Sequence, residues 1–385
     1  MQAKLVNDAP LVSVIIPAFN AATTIKHTIQ SVLAQTYPYF EILVIDDGSS
    51  DGTSDVVKKL LAGDGRIKLL KQENQGVAAA RNFGIRYARG DYIAPLDADD
   101  LWFPEKLEKQ VAVMHEGPST VGLVYTWSIQ IIDDKRSHTF TKGWEEEGSV
   151  FLPLLLGNFL SNASTPLISR ECFDHTGVYN MDFLKFDAQG CEDWDIYLRI
   201  AEHYEFRVVP EHLTVYRQSK ESMSADWKLM GRSYNLLMEW IQKRHPDIPA
   251  YVFRWSKSNY LLYLAIKAAQ AQQTTDSLLL LSKATVLDPY MLMNRRLQRM
   301  FAKNLLHTVR RPRIPSPAGR LQKNQTQINQ VHRGRVNKKP AAGSFWTGLM
   351  KRRTNRLVQL QKELTLDVIA NRGNNESSHG LKSVV

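Results

Sequence analysis

Cysteine is nearly missing from this chain of 385 residues, which has only Cys172 and Cys191. Two are too few for a disulfide framework, and neither has a Cys or His partner at metal-binding spacing. The expectation is a protein of a reducing compartment, the cytoplasm. Long apolar runs are absent too. No segment reaches the roughly 18 uninterrupted apolar residues of a membrane span, and Phe151 to Leu160, FLPLLLGNFL, is about half that. The N-terminus lacks the basic stretch, apolar core and small-residue cleavage site of a secretory leader, so its apolar run reads as a first strand. Acidic residues are scarce at one end: from Arg310 to Val385 there are 16 Lys plus Arg against 3 Asp plus Glu, an excess larger than the whole chain's net +10. The rest is therefore slightly acidic. The tail is rich in Pro, Gln, Asn and Arg, which predicts a solvated, low-order segment with loose attraction to an anionic membrane surface as its secondary use. Phe345 and Trp346 are its only large aromatics, and no zinc or helix-turn-helix signature accompanies them, which argues against nucleic acid.

What is present is a globular composition, 43% hydrophobic and 23% charged, long enough for two or three domains. Strand and helix signals alternate through the first hundred residues. LVSVIIPAF is a β-branched apolar run, followed by Ile25, Ile29, Val32 and Leu33 at helical spacing with Asn20 as the expected cap. EILVIDDGSSDGT repeats the plan: a buried strand, a Gly/Ser/Asp turn, then a helix carrying Val56, Val57, Leu60 and Leu61. RIKLLKQ, GVAAARNFGIRYARG and DYIAPL supply a third strand, a third helix and a fourth strand. This alternation implies a mostly parallel α/β sheet with helices on both faces, in which ligands bind at the carboxyl ends of the strands. PAFN, DDGSSDG and DADD all fall there.

The stretch GDYIAPLDADDLWFP places Asp97, Asp99 and Asp100 directly after an apolar strand. Crowded carboxylates repel, and partial burial raises the cost unless a positive group lies among them. Carboxylates two apart at a strand end suit Mg2+ or Mn2+ completed by phosphate oxygens and water. The competing reading is a solvated acidic turn capping the next helix. It is disfavoured because a second pair, Asp46 and Asp47, ends another strand of the same sheet.

These segments, with GCEDWDIYLRIA downstream, carry a family resemblance. From about Val12 to Ser224, some 55% of the chain, the sequence resembles glycosyltransferase family 2, the inverting, nucleotide-sugar-dependent enzymes with the GT-A (Rossmann-like) fold. The resemblance implies that Pro17, Ala18, Phe19 and Asn20 lie against the nucleotide. It implies that Asp46 or Asp47 accepts a hydrogen bond from the base, and that Arg81 sits near the diphosphate. Asp97 would face the ribose side and Asp99 would bind the metal, Mn2+ or Mg2+. Asp193 would be the catalytic base, with Glu192, Trp194 and Arg217 in the vicinity of acceptor or donor sugar. The donor would be a nucleotide-diphosphate sugar, and the acceptor a glycan, a lipid-linked sugar or a protein. Read from the residues alone, Arg81 is either a phosphate partner or a surface helix Arg, and Glu192 and Asp193 open an amphipathic helix where carboxylates often serve only the helix dipole.

One departure concerns the metal. The family pattern commonly continues with Tyr-Arg and a His two residues on; here Tyr216 and Arg217 are followed by Ser219, which weakens the case for a third protein ligand without removing the metal, since diphosphate and water can fill positions. The Gln-x-x-Arg-Trp motif of the processive synthases is missing as well, which favours transfer of a single sugar. The expected division is a catalytic domain over 1–226, a helical region over 227–309 and the basic tail over 310–385. Three alternatives remain: a catalytically idle nucleotide-binding protein on this fold, a tail-driven adaptor, and a metal-dependent nucleotidyltransferase. The last would want a Gly-rich phosphate loop with a Lys, which PAFNAATT does not supply. His175 and His203 read as ordinary surface or helix residues.

Overall fold

A computed structural model describes residues 9–132, 138–140, 143–218, 222–293, 298–302 and 304. Its first half alternates strands and helices as the pattern predicts: β1 (Val12–Ala18), α1 (Ile25–Leu33), β2 (Phe40–Asp47), α2 (Thr53–Leu61), β3 (Ile67–Gln72), α3 (Val77–Tyr87) and β4 (Tyr92–Pro95). Then follow β5 (Leu101–Trp102), α4 (Lys106–Glu116), β6 (Val121–Ile132), β7 (His138–Phe140), α5 (Phe151–Leu156), β8 (Leu167–Ser169), α6 (Arg170–Thr176), α7 (Asp182–Lys185), α8 (Glu192–Ala201) and β9 (Glu205–Gln218). Three longer helices come last: α9 (Trp227–Arg244), α10 (Ala250–Gln270) and α11 (Thr274–Leu287).

Among the described residues the strands form one sheet in the order β3-β2-β1-β4-β8-β6-β9-β5, with β7 beside β6. The run β3-β2-β1-β4 is parallel. Beyond it the sheet is mixed: β8 is antiparallel to β4 and β6, β5 is antiparallel to β9, and the long β6 and β9 run parallel. Every residue of β1 and of β2 is buried, as continuous apolar runs covered on both faces must be. On one face Ile16, Ile42 and Val44 pack with α1 and α4. On the other, Ile15, Leu43 and Ile45 join a core that also takes in α3, α5, α8, α9, α10 and α11.

Two local features aim the loops. Gly84 lets α3 lie close on the sheet, because a Cβ there would stand 2.6 Å from Ile15 Cγ2 and 2.8 Å from Ile45 Cδ1. Asn20 does not cap α1 as expected. It adopts φ 50°, the left-handed conformation that Asn tolerates better than most residues, and α1 begins only at Ile25. The chain uses Asn20 to turn out of β1 and cross to the neighbouring loop.

Candidate active site

The loops at the carboxyl ends of β1 and β2 are stapled together. Asn20 N–H donates to Ser49 Oγ (3.0 Å), and its Oδ1 accepts from Ser50 N–H (2.9 Å). Ala21 N–H donates to Thr53 Oγ1 (2.8 Å) and Ala22 N–H to Asp51 Oδ2 (3.0 Å). Pro17 and Ala18 are buried within β1, paired with Ile45 and Asp46 of β2, whereas Phe19 is 52% exposed at the loop tip. Asp46 accepts from Ser49 N–H (2.9 Å) and from Ser54 Oγ. Burial opposes its charge, but these hydrogen bonds outweigh it and lower its pKa. Asp47 accepts from Gln72 Nε2 (2.8 Å) and from the N–H groups of Gln75 and Gly76 (both 2.9 Å), which folds the entry to α3. Both carboxylates shape the loops before any ligand arrives.

Arg81, on α3, is only 5% exposed and so is no surface helix residue. Its Nη2 donates to Asp97 Oδ1 at 2.6 Å, its guanidinium lies 5.2 Å from the centre of the Tyr179 ring, and its Nε is buried without a hydrogen-bond partner. Burial works against its charge, and Asp97, Tyr179 and Asp193 outweigh it, so its pKa is raised. The following residue, Asn82, clamps the Tyr179 backbone through Tyr179 N–H to Oδ1 (2.9 Å) and Nδ2–H to the carbonyl (2.8 Å). The AAARN segment thus points one polar side chain into the site and uses the next to fix its wall.

The three carboxylates after β4 have separate fates. Asp97 has Arg81. Asp100 is fully buried, accepts from Ser164 Oγ (2.6 Å) and Arg217 N–H (3.0 Å), and has its pKa pushed well up by burial and then by Asp99 and Asp97. Asp99 carries its backbone carbonyl against Arg217 Nε. Among the described residues no side chain is bonded to its carboxylate. Burial, followed by the charge of Asp97, pushes that carboxyl up to about 6, with Arg217 opposing. The positive groups in the cluster are therefore two arginines, Arg81 and Arg217, and Asp99 is the carboxylate that, among the described residues, has no side-chain hydrogen bond or ion pair, although Arg217 lies near it. Ser164 organises this loop: fully buried, it accepts from Asp97 N–H (3.0 Å) and donates to Asp100, and its carbonyl accepts from Trp102 Nε1 (2.8 Å). Sequence reasoning missed it. The only signal was a small polar run, SNAST, inside an otherwise apolar stretch.

At the start of α8, Asp193 is partly exposed and its Oδ1 accepts from Trp194 N–H at 2.7 Å. Its surroundings push its carboxyl up to about 6, burial and then Asp97 raising it and Arg81 opposing, so Asp193, Arg81 and Asp97 form one electrostatic group. Glu192 is buried, accepts from Gly190 N–H (2.7 Å), and is pushed up by burial to about 7. Trp194 points the other way. Its indole N–H donates to Leu154 O (3.0 Å) and its ring packs on Tyr234 and Tyr260, so its contacts lie in the core behind the site. Tyr197 and Tyr179 each keep a buried hydroxyl without a partner in the same region. His175 and His203 lie with ring centres 4.5 Å apart and planes tilted by 33°, as an ordinary ring pair.

The "Glycosyl transferase family 2" model matches residues 13–185, which include most of these loops. A putative teichuronic acid biosynthesis glycosyltransferase, TuaG of Bacillus subtilis, is 45% identical over 63% of this chain and 92% of its own length. The chain belongs to glycosyltransferase family 2. A second relative, the UDP-Glc:alpha-D-GlcNAc-diphosphoundecaprenol beta-1,3-glucosyltransferase WfgD of Escherichia coli, is 51% identical over 28% of this chain and 42% of its own. Among solved structures, a Pyrobaculum calidifontis mannosyltransferase in complex with GDP-Man and Mn2+ aligns over 79% of this chain and 88% of its own, with 20% identity and a TM-score of 0.47. The sheet and its helical layers are those expected of the GT-A fold of this family, with antiparallel pairs beyond β4 where strand–helix alternation led to a mostly parallel sheet.

Among the described residues no three His, Cys, Asp or Glu side chains are grouped to hold a metal ion. The donor set nonetheless fits a hard divalent cation shared with a diphosphate: the Asp99 carboxylate has no side-chain hydrogen bond or ion pair among the described residues, and Arg81 Nε and Arg217 Nη2 are buried donors without partners that suit phosphate oxygens. Ser219 and the tail from Arg310 lie outside the described residues. Among the described residues no helix is long and apolar enough to cross a membrane.

Proposed function

We propose that this family 2 glycosyltransferase moves one sugar from a nucleotide-diphosphate sugar to a hydroxyl of a lipid-linked or polymeric glycan acceptor in cell-surface polysaccharide assembly. The carrying observation is the Arg81–Asp97 ion pair at 2.6 Å, a buried arginine with an unsatisfied N–H at the carboxyl ends of the strands, whose charges also act on Asp193 at the start of α8. Asp193 takes the acceptor hydroxyl proton as that oxygen forms its bond to the anomeric carbon. On the opposite face the bond from that carbon to the diphosphate oxygen breaks, its electron pair leaving with the nucleotide, which inverts the centre. Arg81 Nε and the Arg217 guanidinium receive the diphosphate, whose charge also relieves the cost of burying Arg81. Phe19 offers its exposed face to the base, and Asp46 or Asp47 accepts from it. Asp99 would hold Mn2+ or Mg2+, which when bound supplies Lewis-acid stabilisation of the leaving diphosphate. The names of TuaG and WfgD support the acceptor class.

The test is titration of UDP and of GDP with and without Mn2+, followed by hydrolysis of a panel of nucleotide sugars in the absence of acceptor. One nucleotide should bind more tightly with Mn2+ and one donor should be hydrolysed. A folded protein that binds no nucleotide would overturn the reading. Binding without hydrolysis or transfer would identify an idle protein on this fold.

A further inference from the structure

One cavity among the described residues lies away from the acidic loops. It is a groove of about 720 Å³ between α9, α10 and α11, and none of the residues assigned above to donor, metal or base lines it. Its apolar lining includes Leu261, Leu264 and Leu280, and its basic lining is Lys228, Arg232, Lys257 and Lys283, with no carboxylate. Arg232 is paired with Asp187 at 3.0 Å and Lys228 lies over the Trp227 ring at 5.5 Å. Lys257 and Lys283 are exposed and make no ion pair among the described residues. At one edge Val286 is 80% exposed. Apolar walls under unpaired ammonium groups match an amphiphile whose chain is apolar and whose head is anionic.

Two features tie the groove to the active site. Its lining includes Tyr234 and Tyr260, stacked at 4.1 Å, and both pack on Trp194, the residue after Asp193. The basic edge begins where the active-site strand ends: Tyr216, next to Arg217, has its hydroxyl 3.3 Å from Ser224 Oγ, and Asp226 then caps α9 by accepting from Lys228 and Leu229 N–H (both 3.0 Å). The chain's own tail, with 16 basic to 3 acidic residues, has the wrong charge for this lining.

We infer that this groove holds the phosphate-bearing lipid of the acceptor, its isoprenoid or alkyl chain along Leu261, Leu264 and Leu280 and its phosphate or diphosphate against Lys257 and Lys283. The inference rests on the lipid-linked acceptor of the preceding reading. Its test does not depend on turnover. The full chain is titrated with geranylgeranyl diphosphate below its micelle concentration, in EDTA and saturating nucleotide, beside inorganic diphosphate and vesicles of phosphatidylglycerol. The wild type should bind the prenyl diphosphate at least about tenfold more tightly than inorganic diphosphate. A Lys257→Glu/Lys283→Glu variant, with unchanged melting temperature and nucleotide affinity, should lose about tenfold in prenyl binding. With a prenyl-diphosphate-linked acceptor it should raise KM by a similar factor and leave kcat and donor hydrolysis unchanged. Equal affinity for inorganic diphosphate would overturn the inference, as would no effect of the double reversal. Binding to vesicles alone would show bilayer docking, and no binding by the full chain would show the groove already filled; either refutes the lipid-carrier assignment. Prenyl binding that follows the lysines in a protein without donor hydrolysis would leave the groove standing and overturn the proposed reaction.

Discussion

At the scale of single residues, the chemistry turns on keeping a carboxylate ionised in a place that disfavours its charge. Asp193 is held near 6 by burial and Asp97 against Arg81, so it is mostly ionised at neutral pH yet basic enough to take a proton. Asp193→Asn is nearly isosteric and should cut kcat by about a hundred- to ten-thousand-fold with nucleotide affinity little changed. The wild-type rate should rise with pH through about 6, and the variant should lack that limb. Paired measurement of the nucleotide dissociation constant and kcat at fixed Mn2+ decides it, since an equal loss in both would make Asp193 a donor-site residue. Glu192 gives a stability counterpart. Burial raises its folded-state pKa to about 7, above that of the unfolded chain, so the folded state binds the proton more tightly. Stability is then lost as pH rises from the unfolded value through about 7. Glu192→Gln, which can still accept from Gly190 N–H, should stabilise on the order of 2–3 kcal/mol at pH 8 and little at pH 4. Melting curves at the two pH values check this, and a shift of the same size at both would contradict it.

At the scale of elements, the acidic loop and α3 are positioned by groups that carry no reactive atoms. Ser164→Ala would leave Asp97 N–H without its acceptor and take from Asp100 one of its two donors, the Arg217 N–H remaining, at a cost of about 1–3 kcal/mol in stability. Because Asp99 lies between those two anchors, the variant should also weaken the Mn2+ dependence of nucleotide binding more than metal-free binding. An unchanged Mn2+ dependence would confine Ser164 to a structural role. Gly84→Ala would press a methyl against Ile15 and Ile45 one turn after Arg81, with an overpacking cost of about 1–3 kcal/mol. A melting temperature equal to the wild type would show that α3 has room to shift. The α1-to-β4 alternation was legible because fully covered parallel strands must be continuous apolar runs, and those runs end in the Asp pairs. Asn20 misled because a cap and a left-handed turn favour the same side chain. The β6 and β9 pair was not legible: HLTVYRQ and TWSIQ mix polar and apolar residues, and their register comes from contacts some 85 residues apart.

At the scale of the whole molecule, the candidate site depends on helices that sequence reasoning set apart as a separate region after residue 226. The described core passes through that boundary without a break. Trp194 packs on Tyr234 and Tyr260, Tyr260 hydroxyl donates to Met230 O (3.1 Å), and Asn259 Nδ2 donates to Leu156 O (3.1 Å), joining α10 to α5 and α8. Leu237, Ile241, Val252 and Ala265 are fully buried in the same cluster as Tyr197 and Leu198 of α8. The sequence shows α8 as an amphipathic helix with one inward face, but it does not show that this face looks toward α9 and α10. Removing those helices exposes large side chains worth about 1.5–3 kcal/mol each, against a total stability of about 5–15 kcal/mol. A fragment ending at residue 226 should therefore be insoluble or melt without cooperativity, and the full chain should unfold in urea in one transition followed alike by tryptophan fluorescence and by far-ultraviolet circular dichroism. A soluble 1–226 fragment that melts cooperatively and binds nucleotide with full-chain affinity would show that Asp193 is held by the sheet alone. The wall shared by the active site and the α9–α11 groove would then have no part in catalysis.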